Sequence, residues 1–298
     1  MKILRNIITM VSLLVYTSVY GQINPLGSMY FQNQYLMNPA MVGTSERLSI
    51  TGALKAQWTA IEGAPVMESI TVNYSGPKKK VGLGLNFYDE KAGFLKRTSI
   101  KGTYAYHIGL GKLGRHFIDL GLSAGITDES IDFNKFTGDL DDVTIYNFNN
   151  RKNNFDGDFG FACRINRLTI QGSLPNLKRF LKRDLLRNVT DRNLFFSSAS
   201  YEFRLNSLAI STIEPIFVYR AVQNYKDIMD FGANIKLSNN KLVFSAIYHS
   251  SNSVAIGVGT IYQDKLSILC IYTTNTAALG SHSNGEFEIA LKLKISKN

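Results

Sequence analysis

The chain has 298 residues, of which 45% are hydrophobic, with a mean hydropathy of −0.05 and a formal charge of +10. Beyond residue 21 no run approaches the roughly 18–20 consecutive apolar residues of a membrane-crossing helix, which excludes a helical bundle in a bilayer. A soluble β-protein and a transmembrane barrel both survive, because barrel strands alternate lipid-facing and lumen-facing residues and average to neutral.

Residues 1–21 read as a signal peptide. Lys2 and Arg5 form a basic start, Ile7 to Val19 a mostly apolar run, and Val19-Tyr20-Gly21 the small residues before a cleavage point at Gln22. Removing Lys2 and Arg5 with the signal leaves a formal charge of +8. An exported chain does not meet nucleic acid, so lipopolysaccharide phosphates or an acidic protein are the expected counter-charges. Residues 22–47 form an N-terminal segment with Phe31, Tyr35, Met37 and Pro39. It is too apolar for a free tail and is expected to pack inside a lumen or at its periplasmic mouth.

From residue 48 the signal is alternation with a period of two. Val81, Leu83, Leu85 and Phe87 alternate with Gly82, Gly84, Asn86 and Tyr88. Ile118, Leu120, Leu122 and Ile126 oppose Asp119, Gly121, Ser123 and Thr127, and Phe287, Ile289, Leu291 and Leu293 oppose Glu286, Glu288, Lys292 and Lys294. A polar face rich in Gly and charge suits a crowded barrel interior better than an open surface.

Strands are predicted at 48–59, 65–75, 80–89, 97–108, 116–127, 155–165, 167–173, 193–204, 208–219, 226–237, 241–249, 253–262, 266–274 and 285–295. Every second connection is short, whereas the three longest, 128–154, 174–192 and 275–284, all fall in the other set. Short turns at one end and long loops at the other describe a transmembrane antiparallel barrel of about 14 strands spanning 48–298, with both termini periplasmic.

Residues 175–187 fit an amphipathic helix with a basic face, suited to a rim or to anionic headgroups. Asp139, Asp141 and Asp142 lack the loop pattern of a calcium site and read as solvated acids. Cys163 and Cys270 are expected as two small buried or lipid-facing residues, with a disulfide as the alternative. No cofactor or metal site is expected, since the four histidines form no metal-ligand motif and the cysteines have no zinc spacing. His249 beside Ser250 and Ser251 is the one candidate catalytic pair, but strand neighbours point to opposite faces, so no enzyme is expected. Lumen charges such as Asp156, Asp158 and Arg164 are expected to pair with one another. Trp58, the sole tryptophan, is expected at the membrane interface.

The run Phe31-x-x-x-Tyr35-x-x-Asn38-Pro39-Ala40-x-x-Gly43 resembles the N-terminal signature of the PorP/SprF family of Bacteroidetes. The likeness continues through Gln57-Trp58, Gly63-Ala64-Pro65, Gly82-Leu83-Gly84, Tyr104-Ala105-Tyr106 and Gly285-Glu286-Phe287-Glu288-Ile289. It implies an outer-membrane component of the type IX secretion system, supporting secretion or surface attachment of partner proteins with a C-terminal sorting domain, gliding adhesins among them. Other secretion subunits, outer-membrane lipid and lipopolysaccharide would be its further partners. Tyr35, Asn38, Pro39, Ala40, Gly43 and Trp58 are the candidate partner-binding or motif residues. Asn-Pro is equally a turn, and Gly43 equally a source of positive φ. A passive diffusion channel is the rival reading and would need an open lumen with a charged constriction.

Overall fold

The computed structural model describes residues 28–44, 47–58, 62–77, 79–111, 114–131, 154–178, 193–205, 209–222, 227–237, 239–274 and 284–295. The signal region, the three Asp residues of the 128–154 loop and most of the 175–187 stretch lie outside them.

Alternation produces strands throughout. In order they are β1 (Leu48–Gln57), β2 (Val66–Ser75), β3 (Val81–Ala92), β4 (Leu95–Leu110), β5 (His116–Ile131), β6 (Asn154–Ile165) and β7 (Leu168–Leu174). Then come β8 (Asn193–Tyr201), β9 (Phe203–Arg204), β10 (Ile210–Val222), β11 (Ile228–Leu237), β12 (Leu242–His249), β13 (Ser253–Tyr262), β14 (Leu266–Thr273) and β15 (Glu286–Lys294). β8 and β9 both pair with β10 and are interrupted only at Glu202, so they make one stave. Each strand pairs antiparallel with its neighbours, and β15 pairs with β1 from Ser49↔Lys294 to Gln57↔Glu286. The result is a closed 14-strand barrel with no free edge.

β4 and β5 run further than the alternation suggested. Leu95 to Thr98 pair with Ile131 to Asp128, so four residues assigned to the following loop belong to the sheet. The turns at the opposite end follow local chemistry. Asn239-Asn240 and Gln263-Asp264 both have positive φ at two successive residues, as in the turn type whose twist matches paired strands.

The faces are reversed relative to a water-soluble barrel. Ile50, Leu54, Ile70, Leu83, Leu122, Phe231, Ile256 and Leu291 are exposed on the outside. Ser49, Thr51, Lys55, Ser69, Thr71, Asp119, Ser123 and Glu288 are buried on the inside. A lipid surround suits such an arrangement, since it solvates the outer apolar band while many of the inward polar groups pair with one another. No helix among the described residues is long and apolar enough to cross a membrane.

Candidate functional site

The lumen is occupied by the chain's own N-terminal segment. Ser28 to Thr44 carries a single helical turn, α1 (Gln34–Met37), followed by a 3-10 turn (Pro39–Met41). Asn38 joins the two. Its side-chain oxygen accepts from the Ala40 amide at 3.0 Å, capping the 3-10 turn, and Pro39 at the first position needs no amide partner. Its side-chain nitrogen donates to the Phe161 carbonyl at 3.0 Å and to Gln171 Oε1 at 3.1 Å. A fully buried amide is thereby satisfied at three points and pins the segment to β6 and β7.

The wall is shaped to receive this segment. Gly121 and Gly160 are register partners on β5 and β6, and a Cβ on either would collide with the Asn38–Ala40 turn. On β3, Gly82 lies against the Val42 carbonyl and Gly43, while Gly84 lies against the Tyr35 ring. Gly43 has φ +76°, and its amide donates to Asn73 Oδ1 at 2.6 Å. The Tyr35 hydroxyl is 2.8 Å from Thr103 Oγ1, and burial pushes its pKa up to about 12, so it stays a neutral hydrogen-bonding group. Of the six motif residues, five (Tyr35, Asn38, Pro39, Ala40 and Gly43) come together here. Trp58 does not: it follows β1 at the long-loop end with φ +47°, its amide donating to the Gly285 carbonyl at 2.9 Å.

Further anchors run right round the barrel, and two of them reach strands that the motif residues do not bond, β11 and β14. The Tyr30 hydroxyl donates to Asp230 Oδ2 at 2.6 Å, Gln32 to Ser267 at 3.1 Å and Asn33 to Thr71 at 2.9 Å. Ser173 donates to the Met37 carbonyl at 2.7 Å. Asp230 also holds Arg220 at 2.8 Å and His249 Nδ1 at 2.7 Å, all three buried. Beside them Lys55 lies 2.7 Å from Glu286 and 3.5 Å from Glu288. Sequence reading did not single out Tyr30, Lys55, Arg220 or Asp230, and it placed Glu286 on the polar face and in the C-terminal stretch of the family likeness without a partner. The only available sign was an ionisable residue in the inward phase of each strand.

Lumen charges do pair, but with partners other than those expected. Arg164 binds Asp119 through Nε at 2.6 Å and Nη2 at 2.9 Å, and Lys101 binds Asp158 at 2.7 Å. Arg164 does not reach Asp158 because the two lie six residues apart along β6, about 20 Å in an extended strand. Asp156 instead accepts from the Gly157 and Lys178 amides. His249 has Asp230 as an orienting group, which the sequence did not suggest. Its Nε2 has no hydrogen-bond partner among the described residues, while Ser250 is exposed and its hydroxyl accepts from the Met229 amide. Cys163 and Cys270 are both free thiols on the outer phase of β6 and β14.

Between the segment and the short-turn end lies a cavity of about 970 Å³, roofed by Phe31 to Tyr35. Arg115, Arg164, Arg167 and Arg204 line it at the ends of the successive staves from β5 to β9, joined by Lys236 on β11 and by Lys292 and Lys294 on β15. Glu202 and Glu214 are the carboxylates in the same lining.

A family model described as type IX secretion system membrane protein PorP/SprF matches residues 19–293. No curated protein matches the chain. Among solved structures, the outer membrane protein Omp33 of Acinetobacter baumannii is 6% identical, with a TM-score of 0.49, covering 85% of this chain and all of its own. A triple mutant of the Rhodopseudomonas blastica porin is 10% identical, with a TM-score of 0.36, over 84% of this chain and 99% of its own. CdiB from Acinetobacter baumannii is 8% identical, with a TM-score of 0.41, over 84% of this chain and 60% of its own.

Proposed function

The chain belongs to the PorP/SprF family of type IX secretion system membrane proteins, and from that premise we propose that it serves as a closed docking barrel of the outer membrane. In this reading it supports secretion or surface attachment of partner proteins bearing a C-terminal sorting domain, gliding adhesins among them. The partner docks on the long-loop end. Both termini of the barrel lie in the periplasm, where other secretion subunits reach it, and lipopolysaccharide surrounds the outer rim.

The observation that favours docking over conduction is the filled lumen. Tyr30, Asn33, Tyr35, Asn38 and Gly43 bond to β11, β2, β4, β6, β7 and again β2, so the segment is fastened on opposite sides of the barrel. A diffusion channel needs a continuous aqueous path with a charged constriction, whereas here that path is taken by protein. The motif residues then act by holding the segment in place, which leaves the barrel ends as the surfaces open to partners.

The test is a pull-down of a tagged copy from detergent-solubilised outer membrane, with partners identified by mass spectrometry. Recovery of a surface protein with a sorting domain, or of other secretion subunits, supports this role. A barrel recovered alone that conducts ions steadily in a planar bilayer would replace it with a diffusion channel.

A further inference from the structure

We propose that the cavity at the short-turn end is a binding vestibule for an acidic segment of polypeptide, which enters from that mouth and stops against the N-terminal segment. This goes beyond the docking role above and does not depend on what binds at the long-loop end.

Charge is the first argument. Among the described residues, seven basic side chains and two carboxylates line the cavity, and the carboxylates do not neutralise it. Arg204 is paired with Glu202 at 2.6 Å and Arg164 with Asp119, whereas Arg115 and Arg167 form no ion pair among the described residues and are exposed on adjacent turns. Those turns are tied together, the Asn166 amide donating to the Arg115 carbonyl at 3.0 Å. A concave wall carrying mostly one sign of charge, backed by low-dielectric lipid and protein, concentrates the potential that an incoming anion feels. Guanidinium groups also recognise carboxylates with two parallel hydrogen bonds.

The chemistry of the lining selects peptide over a lipid headgroup or a phosphate. The cations are spread over several staves around the cup, only Lys292 and Lys294 sharing one, so they match carboxylates spaced along a chain better than one dense phosphate. Apolar side chains (Phe31, Phe117, Val243, Ile261 and Leu269) lie between them and suit the alternating side chains of an extended segment. Gln32, Asn33 and Gln34 in the roof can hydrogen-bond with peptide backbone. Lys292 and Lys294 project inward, on the phase opposite the lipid-exposed Leu291 and Leu293, so bilayer headgroups at the outer surface do not account for them.

The test uses the full chain in non-ionic detergent and fluorescence anisotropy of a fluorescein-labelled peptide of alternating glutamate and leucine at low ionic strength. The variant Arg115→Glu/Arg167→Glu is expected to weaken binding at least ~tenfold, about 1.4 kcal/mol, and Arg115→Gln/Arg167→Gln to weaken it less. Lys178→Glu, at the opposite end, is expected to leave it unchanged, and a peptide with lysine for glutamate should not bind. The heat-dependent gel shift of a folded barrel checks each variant, and the glutamine pair keeps the test decisive if the charge reversal misfolds. Binding insensitive to Arg115 and Arg167, or lost equally in Lys178→Glu, would overturn the proposal. Displacement of the peptide by equimolar inorganic tripolyphosphate would overturn it too, in favour of a phosphate-bearing ligand.

Discussion

Tyr30 and Asp230, two hundred residues apart in the chain, meet in the lumen with the hydroxyl donating to the carboxylate at 2.6 Å. Arg220 and His249 hold the same carboxylate, so one buried anion joins the N-terminal segment to β10, β11 and β12. Tyr30→Phe removes the hydroxyl and keeps the ring that stacks on Phe196. The expected cost is about 1.5–3 kcal/mol, as for a hydrogen bond to a charged group. It should appear as a lower temperature for the heat-dependent gel shift, and an unchanged temperature would mean that the contact carries no stability.

Gly121 and Gly160 provide the floor under Pro39 and Ala40. Gly121→Val or Gly160→Val places methyl groups where the turn lies, at an overpacking cost of about 1–3 kcal/mol. The barrel should still form, because both side chains point away from the strand pairings, but the segment should be displaced and ionic conductance should appear in planar bilayers. Gly52→Ala, whose added Cβ meets nothing within 4 Å, is the matched control and should stay silent.

Lys55 sits fully buried between Glu286 and Glu288. Lys55→Met leaves two buried carboxylates without their cation and should cost about 3–5 kcal/mol in the same thermal assay. The triple variant Lys55→Met/Glu286→Gln/Glu288→Gln should recover most of that loss, since no net charge then remains in the pocket. Equal stability of the single and triple variants would refute the pairing.

Cys163 and Cys270 stand on β6 and β14, seven strand pairings apart in either direction round the barrel. A disulfide needs Cα atoms within about 7 Å, far less than that separation. Migration on gels should therefore be identical with and without reductant. Cys270, exposed on the outer phase, should be alkylated by a lipid-soluble maleimide.

Trp58, the sole tryptophan, follows the last residue of β1 at the long-loop end. Its fluorescence should be quenched by lipids brominated near the headgroup more than by lipids brominated at the chain terminus, as expected of an interfacial aromatic. Stronger quenching from the chain terminus would place the ring deep in the bilayer instead.

By itself the sequence determined whatever depends on neighbours along the chain. The alternation of Val81 to Tyr88 or Phe287 to Lys294 decides strand and face together, because successive side chains point to opposite sides. The Asn239-Asn240 and Gln263-Asp264 turns are legible for the same local reason, and the parity of loop lengths ordered the strands into a barrel. Only the tertiary structure decided which inward residues meet. Arg164 finds Asp119 on the adjoining strand, not the acids of its own strand, and Tyr30 finds Asp230 across the lumen. Those pairings depend on the stagger of fourteen staves round a closed ring and on what fills its interior, and neither quantity is written in any window of residues. The motif from Phe31 to Gly43 marked the segment, but its meaning came from glycines on β3, β5 and β6 that leave space only once the barrel has closed around it.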